Sequence, residues 1–193
     1  AEREMQASHQ AIRLLYEAGE QLGRTLELDE IYHTLHRVVR SAMPCDSLLV
    51  SAYNPADRQI RLAWGWGPDG PHDVTRFPPI PLEDEGRGTQ SRVIRGGETL
   101  LLRDYQAHFR TAETAYYVDK GDRLLGTDVE PDDGQVTRSA VILPLKLKNQ
   151  VLGVIQVMSF RRDDYRQDQI RFLEALAPQV AAATANAELY RQA

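Results

Sequence analysis

The chain has little cysteine and no long apolar segment, and both shortages limit what it can be. A single cysteine, Cys45, stands among 193 residues, so no disulfide can form within the chain. That fits a reducing compartment, and we expect a cytoplasmic protein. No apolar run reaches the roughly 18 residues of a membrane-spanning helix, so we expect no direct membrane contact. The first ten residues also lack the apolar segment of a secretion signal.

Basic residues are fewer than acidic ones. The chain has 23 Lys and Arg residues and 28 Asp and Glu residues, which gives a net charge of −5. The arginines are scattered along the sequence and interleaved with acidic residues. Nucleic-acid binding requires a concentrated basic surface, so we predict no nucleic-acid partner and no basic binding patch. The apolar share of 42% is enough to bury a core without cross-links.

Catalytic and metal-binding patterns are also missing. His33 and His36 lie three residues apart in a predicted helix, but no third ligand stands close to them in the sequence. Ser91 and Ser139 have no visible histidine and acid partners for nucleophilic catalysis. Paired aspartates show no spacing that acid–base chemistry would need. We therefore predict no catalytic residue, no metal site and no enzymatic activity.

Both ends of the chain carry the three-and-four spacing of a coiled coil. The spacing predicts one helix over residues 1–26 and another over residues 165–193. We predict a parallel homodimer in which these helices from two subunits pack into a four-helix bundle. The candidate interface residues at heptad positions are Ile12, Leu15, Leu22, Leu173, Val180 and Ala187.

Between the ends, the pattern changes to that of strands. Two apolar runs, 140–145 and 151–158, flank a polar break around Lys148 and Asn149, which predicts a hairpin of central strands covered on both faces. Earlier strands are predicted at 47–53 and 59–66, the second with its alternating large apolar residues on one face: Ile60, Leu62, Trp64 and Trp66. The fold class is α+β, with an antiparallel sheet, the terminal helices on one face and mid-chain helices and a loop on the other.

Aromatic residues mark the candidate binding region. Tyr105, Phe109 and Tyr116 share one face of a predicted helix, and Tyr53 and Trp64 lie on sheet strands. Such a set either packs the helix onto the sheet or lines a ligand cavity between the sheet and residues 104–137. In the second case, Arg138 and Ser139 supply polar groups at the mouth of the cavity. If side chains fill the space, the chain serves only for dimerisation.

Several segments together resemble a GAF domain, a small-molecule sensing module, from Leu14 to Leu189. The resemblance rests on "LLYEAGEQLGRTLELDEIYHTL", "GRGTQSRVIRGGETLLLRD" and "RSAVILPLKLKNQVLGVIQVMSF", followed by "RQDQIRFLEALAPQVAAATANAELY". It implies one domain over residues 1–193, with signalling helices at 1–26 and 165–193 around a core at 29–164. It also implies a regulatory role in a bacterial multidomain protein, such as a two-component histidine kinase, a cyclase or a phosphodiesterase.

The chain departs from the better-known GAF subclasses. Cys45 precedes the first sheet strand and is followed by Asp46, so the chain is not similar to members that attach a bilin. One cysteine cannot supply the thiol relay of the methionine-sulfoxide-reducing members, and the Asn-Lys-Phe-Asp-Glu signature of cyclic-nucleotide-binding members is absent. We expect an unidentified ligand and no cofactor. A ligand-free dimerisation and relay module is the alternative, followed by a redox sensor or a haem sensor with His108 as axial ligand.

Overall fold

The computed structural model describes residues 1–111, 116–118, 124–126 and 136–193. It is of the α+β class, as predicted. Two compact units make up the chain, one of residues 1–43 with 166–193 and one of residues 44–165. Whether the chain acts as a single domain, and how the terminal helices lie against the sheet, stay predictions. Among the helices of the described residues, none combines the length and the apolar character that crossing a membrane requires.

The first unit is helical. Its helices are α1 (Glu2–Leu22), α2 (Leu28–Ala42) and α5 (Gln167–Gln192), and each contacts the other two. The second unit contains helices α3 (Thr89–Gly96) and α4 (Tyr105–Thr111) and a short 3-10 turn at Val74–Arg76. Its strands are β1 (Ser47–Asn54), β2 (Gln59–Gly67), β3 (Gly70–Pro71), β4 (Ile80–Pro81), β5 (Leu100–Leu102), β6 (Tyr116–Val118), β7 (Leu124–Gly126), β8 (Ser139–Leu147) and β9 (Gln150–Ser159).

In the described part of the chain, the main sheet has seven strands in the order β3-β2-β1-β9-β8-β5, with β4 also paired to β2, and each pairing is antiparallel. Strands β6 and β7 form a separate pair. Strands β8 and β9 therefore lie in the interior of the sheet. Neighbouring residues such as Val141 and Ile142 are both fully buried, so both faces of β8 are covered. The prediction of two central strands is confirmed.

The turn between β8 and β9 explains why the two apolar runs form a hairpin. Lys148 and Asn149 adopt positive φ angles of 52° and 65°. Two-residue hairpin turns favour positive φ at both positions because their backbone twist then matches the twist of the strands. The hairpin prediction is confirmed at this turn.

A β-bulge divides strand β2 into two halves. Val50 of β1 pairs with Trp64, but the next residue, Ser51, pairs with Leu62. Ala63 is therefore an extra residue in β2 with no opposite partner. A bulge of this kind changes which side chains share a face of the sheet.

The bulge overturns the prediction that the large apolar residues of β2 share one face. Ile60 and Leu62 lie on one face of the sheet, whereas Trp64 and Trp66 lie on the other. The two indole rings stack with centroids 6.0 Å apart and planes inclined by 26°. Strict alternation predicts a single face, and the inserted Ala63 breaks that alternation.

The dimer candidates separate into buried and exposed residues. Within the single chain, Leu22 is 3% exposed, and three residues of α5 are buried as well: Leu173, Val180 and Ala187. Leu15 is half-buried, and Ile12 is 62% exposed. These four residues are covered within the single chain, and their assignment to a dimer interface stays a prediction. Their heptad spacing reflects burial within one chain.

His36 makes the helical unit sensitive to acid. Its side chain is buried on α2, and burial, followed by the nearby Arg40 and His33, lowers the pKa of His36 to about 4. An unfolded histidine titrates near pH 6.5, so neutral His36 stabilises the fold above that pH, and this contribution disappears as the pH falls towards 4. We expect up to about 3 kcal/mol of the acid loss in unfolding free energy to come from this residue.

Urea unfolding at pH 7 and at pH 4.5 measures that loss. In His36→Gln the difference between the two pH values should shrink, whereas His9→Gln, which changes an exposed histidine, should keep the wild-type difference. An identical difference in all three proteins would show that His36 does not contribute.

Candidate ligand-binding site

An apolar cluster covers the face of the sheet that carries Ile60. Its buried members come from β2, α3, β5, α4, β8 and β9: Ile60, Val93, Ile94, Leu102, Tyr105, Ala140, Ile142, Val154 and Met158. Tyr53 of β1 packs against them. The cluster therefore brings together the sheet, α3 and the start of α4, where the sequence predicts a site.

Helix α3 is held in place at both ends. In the first turn, the Ser91 hydroxyl accepts a hydrogen bond from the Glu83 backbone N–H at 3.0 Å, and Arg95 in the last turn donates two bonds to the Glu83 carbonyl at 3.0 and 2.8 Å. At its end, Lys146 Nζ donates to the carbonyl of Gly97, 2.8 Å away. These bonds fix α3 relative to the loop before it and to strand β8.

Gln90, in the first turn of α3, presents an unused acceptor. It lies three and four residues before Val93 and Ile94, so the three side chains share the helix face that meets the cluster. Its Oε1 atom is buried and has no hydrogen-bond partner among the described residues. A buried polar group without a partner costs about 1–3 kcal/mol. A bound molecule with a hydrogen-bond donor would recover that free energy.

The start of α4 is tied to the start of β8. The Tyr105 backbone N–H donates to the Arg138 carbonyl at 2.7 Å, and the Asp104 carboxylate accepts from the Ala107 N–H at 3.2 Å. The Arg138 side chain is half-buried and donates to Gln106 Oε1 at 3.4 Å. Burial raises the pKa of the Tyr105 hydroxyl, which keeps that group protonated. The region thus holds the Arg138 cation and the neutral Tyr105 phenol.

Of the predicted ligand-binding residues, the structure brings Tyr53, Tyr105 and Arg138 to this region. Trp64 lies on the opposite face, beyond the β2 bulge. Ser139 also points away, because its neighbour Ala140 belongs to the cluster and successive strand residues alternate between faces. The Ser139 hydroxyl donates to the carbonyl of Arg161 at 2.5 Å. The structure therefore does not support placing Trp64 and Ser139 at the same site as Tyr105.

The predicted aromatic stripe does not extend to Tyr116. Helix α4 ends at Thr111, and Tyr116 begins strand β6, so the two ends of the stripe lie in different elements. The prediction of one helix through Tyr116 is wrong. Phe109 does belong to α4, but its side chain and that of Tyr116 fall outside the described part of the structure. Their part in binding stays a prediction.

The sequence patterns did not identify three polar residues on this face of the sheet. Ser51 and Gln156 are buried, at 3% and 6% exposure, and pair with the strand residues Val154 and Ile142 of the cluster. The third is Gln90. Gln156 could have been found, because it interrupts an otherwise apolar run. Nothing in the sequence distinguishes Gln90 from an ordinary solvated glutamine in the first turn of a helix.

His108, the residue considered as a haem ligand, lies on α4, three residues after Tyr105. His108 of α4 is half-buried, and burial and then Arg92 lower its pKa, so its imidazole is neutral at pH 7 and can act as a ligand. Among the described residues, no three or more His, Cys, Asp and Glu side chains gather where they could hold a metal ion. Cys45 is half-buried just before β1, with its thiol 3.6 Å from the Ser47 carbonyl oxygen.

The chain is similar to several solved structures at low sequence identity. The GAF domain of an Acinetobacter phosphoenolpyruvate-protein phosphotransferase is 16% identical, with a TM-score of 0.67 over 92% of this chain and 94% of that one. Free methionine-R-sulfoxide reductase from Neisseria meningitidis is 16% identical, with a TM-score of 0.64 over 93% and 91%. The GAF domain of a Bacillus halodurans sensor histidine kinase is 19% identical, with a TM-score of 0.60 over 87% and 100%.

These likenesses show a shared fold. No match was found among curated proteins. The family profile described as GAF domain matches residues 25–185, which is most of the chain and includes the whole sheet. The resemblance expected from the sequence is thereby confirmed, and the chain belongs to the GAF domain family.

Proposed function

We propose that this chain is a small-molecule-sensing regulatory domain of a bacterial multidomain signalling protein, with a kinase, cyclase or phosphodiesterase output. The observation that carries the proposal is the Oε1 atom of Gln90, which is buried beside an apolar cluster and has no hydrogen-bond partner among the described residues. Structural relatives include a sensor histidine kinase and a methyl-accepting chemotaxis protein, which supports a signalling role.

The composition of the region suits a ligand of small size. Small-molecule sites are mostly apolar and use a few placed polar groups for orientation. Here the apolar side chains come from α3, β5 and the sheet, while the polar groups are the Gln90 acceptor, the Arg138 cation and the Tyr105 phenol. A ligand with a hydrogen-bond donor and an anionic or strongly polar group would satisfy this set.

A chain of contacts leads from the site towards the last helix. The Arg138 backbone N–H donates to the Ser159 carbonyl at 2.8 Å, and the Ser159 hydroxyl donates to Asp164 Oδ2 at 2.5 Å. Asp164 lies in the short segment between β9 and α5. A ligand that binds one arrangement of Arg138 better than another would shift the population of this segment. The shift would reach the output through α5.

Thermal unfolding with a panel of metabolites, including cyclic nucleotides, tests the proposal. We expect at least one compound to raise the melting temperature in a concentration-dependent way, because a ligand that binds only the folded state stabilises it. If no compound at millimolar concentration changes the melting temperature, the ligand-free relay module becomes the better account.

Dimerisation is the second proposed role, and a specific surface favours it. Met5, Ile12 and Tyr16 are 59%, 62% and 70% exposed and fall within one narrow stripe of α1. Leu189 and Tyr190 are also exposed near the end of α5. We propose that a second copy of the chain covers the α1 stripe, in place of the heptad positions that are buried within one chain.

We propose a regulatory role without catalysis. The activity of the structurally similar methionine-R-sulfoxide reductase is not proposed for this chain, because Cys45 is the only cysteine and one thiol cannot close the intramolecular disulfide of a thiol relay.

Haem sensing through His108 remains the alternative for a cofactor. Added haemin would then give an absorption band that His108→Ala abolishes, whereas an equal band in both proteins would reflect non-specific binding.

A further inference from the structure

A polar groove lies in the helical unit, away from the sheet-face site. It runs between the end of α1 and one face of α2 and has a volume of about 860 Å³. Its lining residues are Gln21, Arg24, Thr25, Glu30, His33, Thr34, His36, Arg37, Arg40 and Ser41. The volume is within the range of small-molecule sites, but the lining has far more charge than an ordinary apolar pocket.

The groove is positive on a chain that is negative overall. Three arginines line it against one carboxylate, Glu30, while the whole chain carries a net charge of −5. The Glu30 carboxylate already accepts a hydrogen bond of 2.6 Å from the Thr25 hydroxyl. Scattered positions in the sequence are therefore gathered into one basic surface, since the turn after α1 supplies Arg24 and α2 supplies Arg37 and Arg40.

Two of the three arginines have their charge uncompensated. Arg24 forms an ion pair of 3.2 Å with Glu20. Arg37 donates to the side-chain oxygen of Gln21, a neutral group. In the described part of the chain, neither Arg37 nor Arg40 pairs with a carboxylate, and both side chains are exposed. Arginine keeps its proton at any physiological pH and presents a fork of donors that matches phosphate oxygens.

We propose that this groove binds a small anion with two or more linked phosphate groups. Arg37 and Arg40 lie three residues apart on α2, one turn of the helix, and face the same groove. Successive phosphates can therefore meet successive guanidinium groups, with Arg24 reaching from the turn after α1. The hydroxyl groups of Thr34 and Ser41 add neutral polar contacts along the wall. Such a ligand would bridge α1 and α2 and stabilise their contact.

Calorimetric titration of the full chain with inorganic tripolyphosphate and pyrophosphate tests the proposal. We expect saturable binding with one site, weakened by salt because the contacts are exposed. The double variant Arg37→Gln/Arg40→Gln should lower the affinity at least about tenfold. The matched control is Arg3→Gln/Arg171→Gln, which removes the same charge from exposed arginines outside the groove and should stay within about twofold of wild type.

Three outcomes would overturn the proposal. The first is no saturable binding of either probe. The second is an equal loss of affinity in the groove variant and the control, which would show a general effect of charge. The third is equally tight binding of an acidic hexapeptide or a short oligonucleotide, which would show a non-selective polyanion surface. Far-UV circular dichroism of both variants checks that the helices are intact.

Discussion

Gly153→Ala should lower the free energy of unfolding by about 3 kcal/mol or more. A Cβ atom at this position would overlap the backbone carbonyl oxygen of Ser51. Gly153 pairs with Ala52 on one side and Leu145 on the other, so its backbone cannot move without disturbing two strand pairings. Glycine inside a strand often marks such a close approach between backbones. Urea unfolding followed by circular dichroism measures the effect.

Gly96→Ala is the matched control for that substitution. A Cβ atom at Gly96 would meet no atom within 4 Å, and the residue lies at the end of α3 with an ordinary φ angle. Alanine there should leave stability unchanged or raise it by up to about 1 kcal/mol, because it restricts the unfolded chain. Equal stabilities for the Gly153 and Gly96 variants would show that β1 and β9 are not as close as the structure places them.

Val180→Glu should unfold the helical unit, with a loss of about 4 kcal/mol. Val180 is 0% exposed in the single chain, so a carboxylate there would be buried or would force the helices apart. The heptad interpretation of the sequence predicts a different result, namely a folded monomer. Circular dichroism distinguishes the two, because helix content should fall sharply in this variant.

Ile12→Glu/Tyr16→Glu should have the opposite outcome, a folded chain that no longer dimerises. Both side chains are exposed on the outer stripe of α1, so the substitution costs little within the monomer. Sedimentation over a range of concentrations measures the change, with Arg13→Glu as a control on a neighbouring exposed position. A dimer that survives in the double variant would place the interface elsewhere. A wild-type chain that is monomeric throughout would refute dimerisation.

Helices and strands could be predicted where one feature of the sequence, such as a continuous apolar run, determined the structure. The apolar runs of β8 and β9 are continuous because both faces are buried, so their length and central position could be read directly. Helix α3 ends at Gly96, and the φ of 66° at the next residue, Gly97, suits a glycine that closes a helix. Helix α5 begins within two residues of the predicted start.

It was harder to predict what each face of a helix or strand packs against. Periodicity identifies an apolar face but not the part of the molecule that covers it. One inserted residue, Ala63, moved Trp64 to the opposite side of the sheet. The heptad spacing of α5 correctly predicted that Val180 is buried. The residues that bury it belong to the same chain. The groove arginines come from helix α2 and from the turn after α1, so their meeting depends on how that turn lies against α2.

The candidate site was only partly visible from the sequence for a related reason. Tyr105 and Tyr53 could be selected because large aromatic residues near a sheet are buried in most folds. Gln90 could not be selected, because its importance lies in its Oε1 atom, which lacks a hydrogen-bond partner among the residues that the structure describes. Only the arrangement of α3 against the sheet reveals that deficit.

Thermal unfolding of Gln90→Met with the same metabolite panel tests the ligand-sensing account most directly. Without ligand, the variant should be about 1 kcal/mol more stable than wild type, because the substitution removes, at nearly constant volume, a buried acceptor that has no partner in the described part of the chain. The compound that stabilises the wild-type chain should then have little or no effect on the variant. A full ligand response in Gln90→Met, or a variant less stable than wild type, would contradict the account.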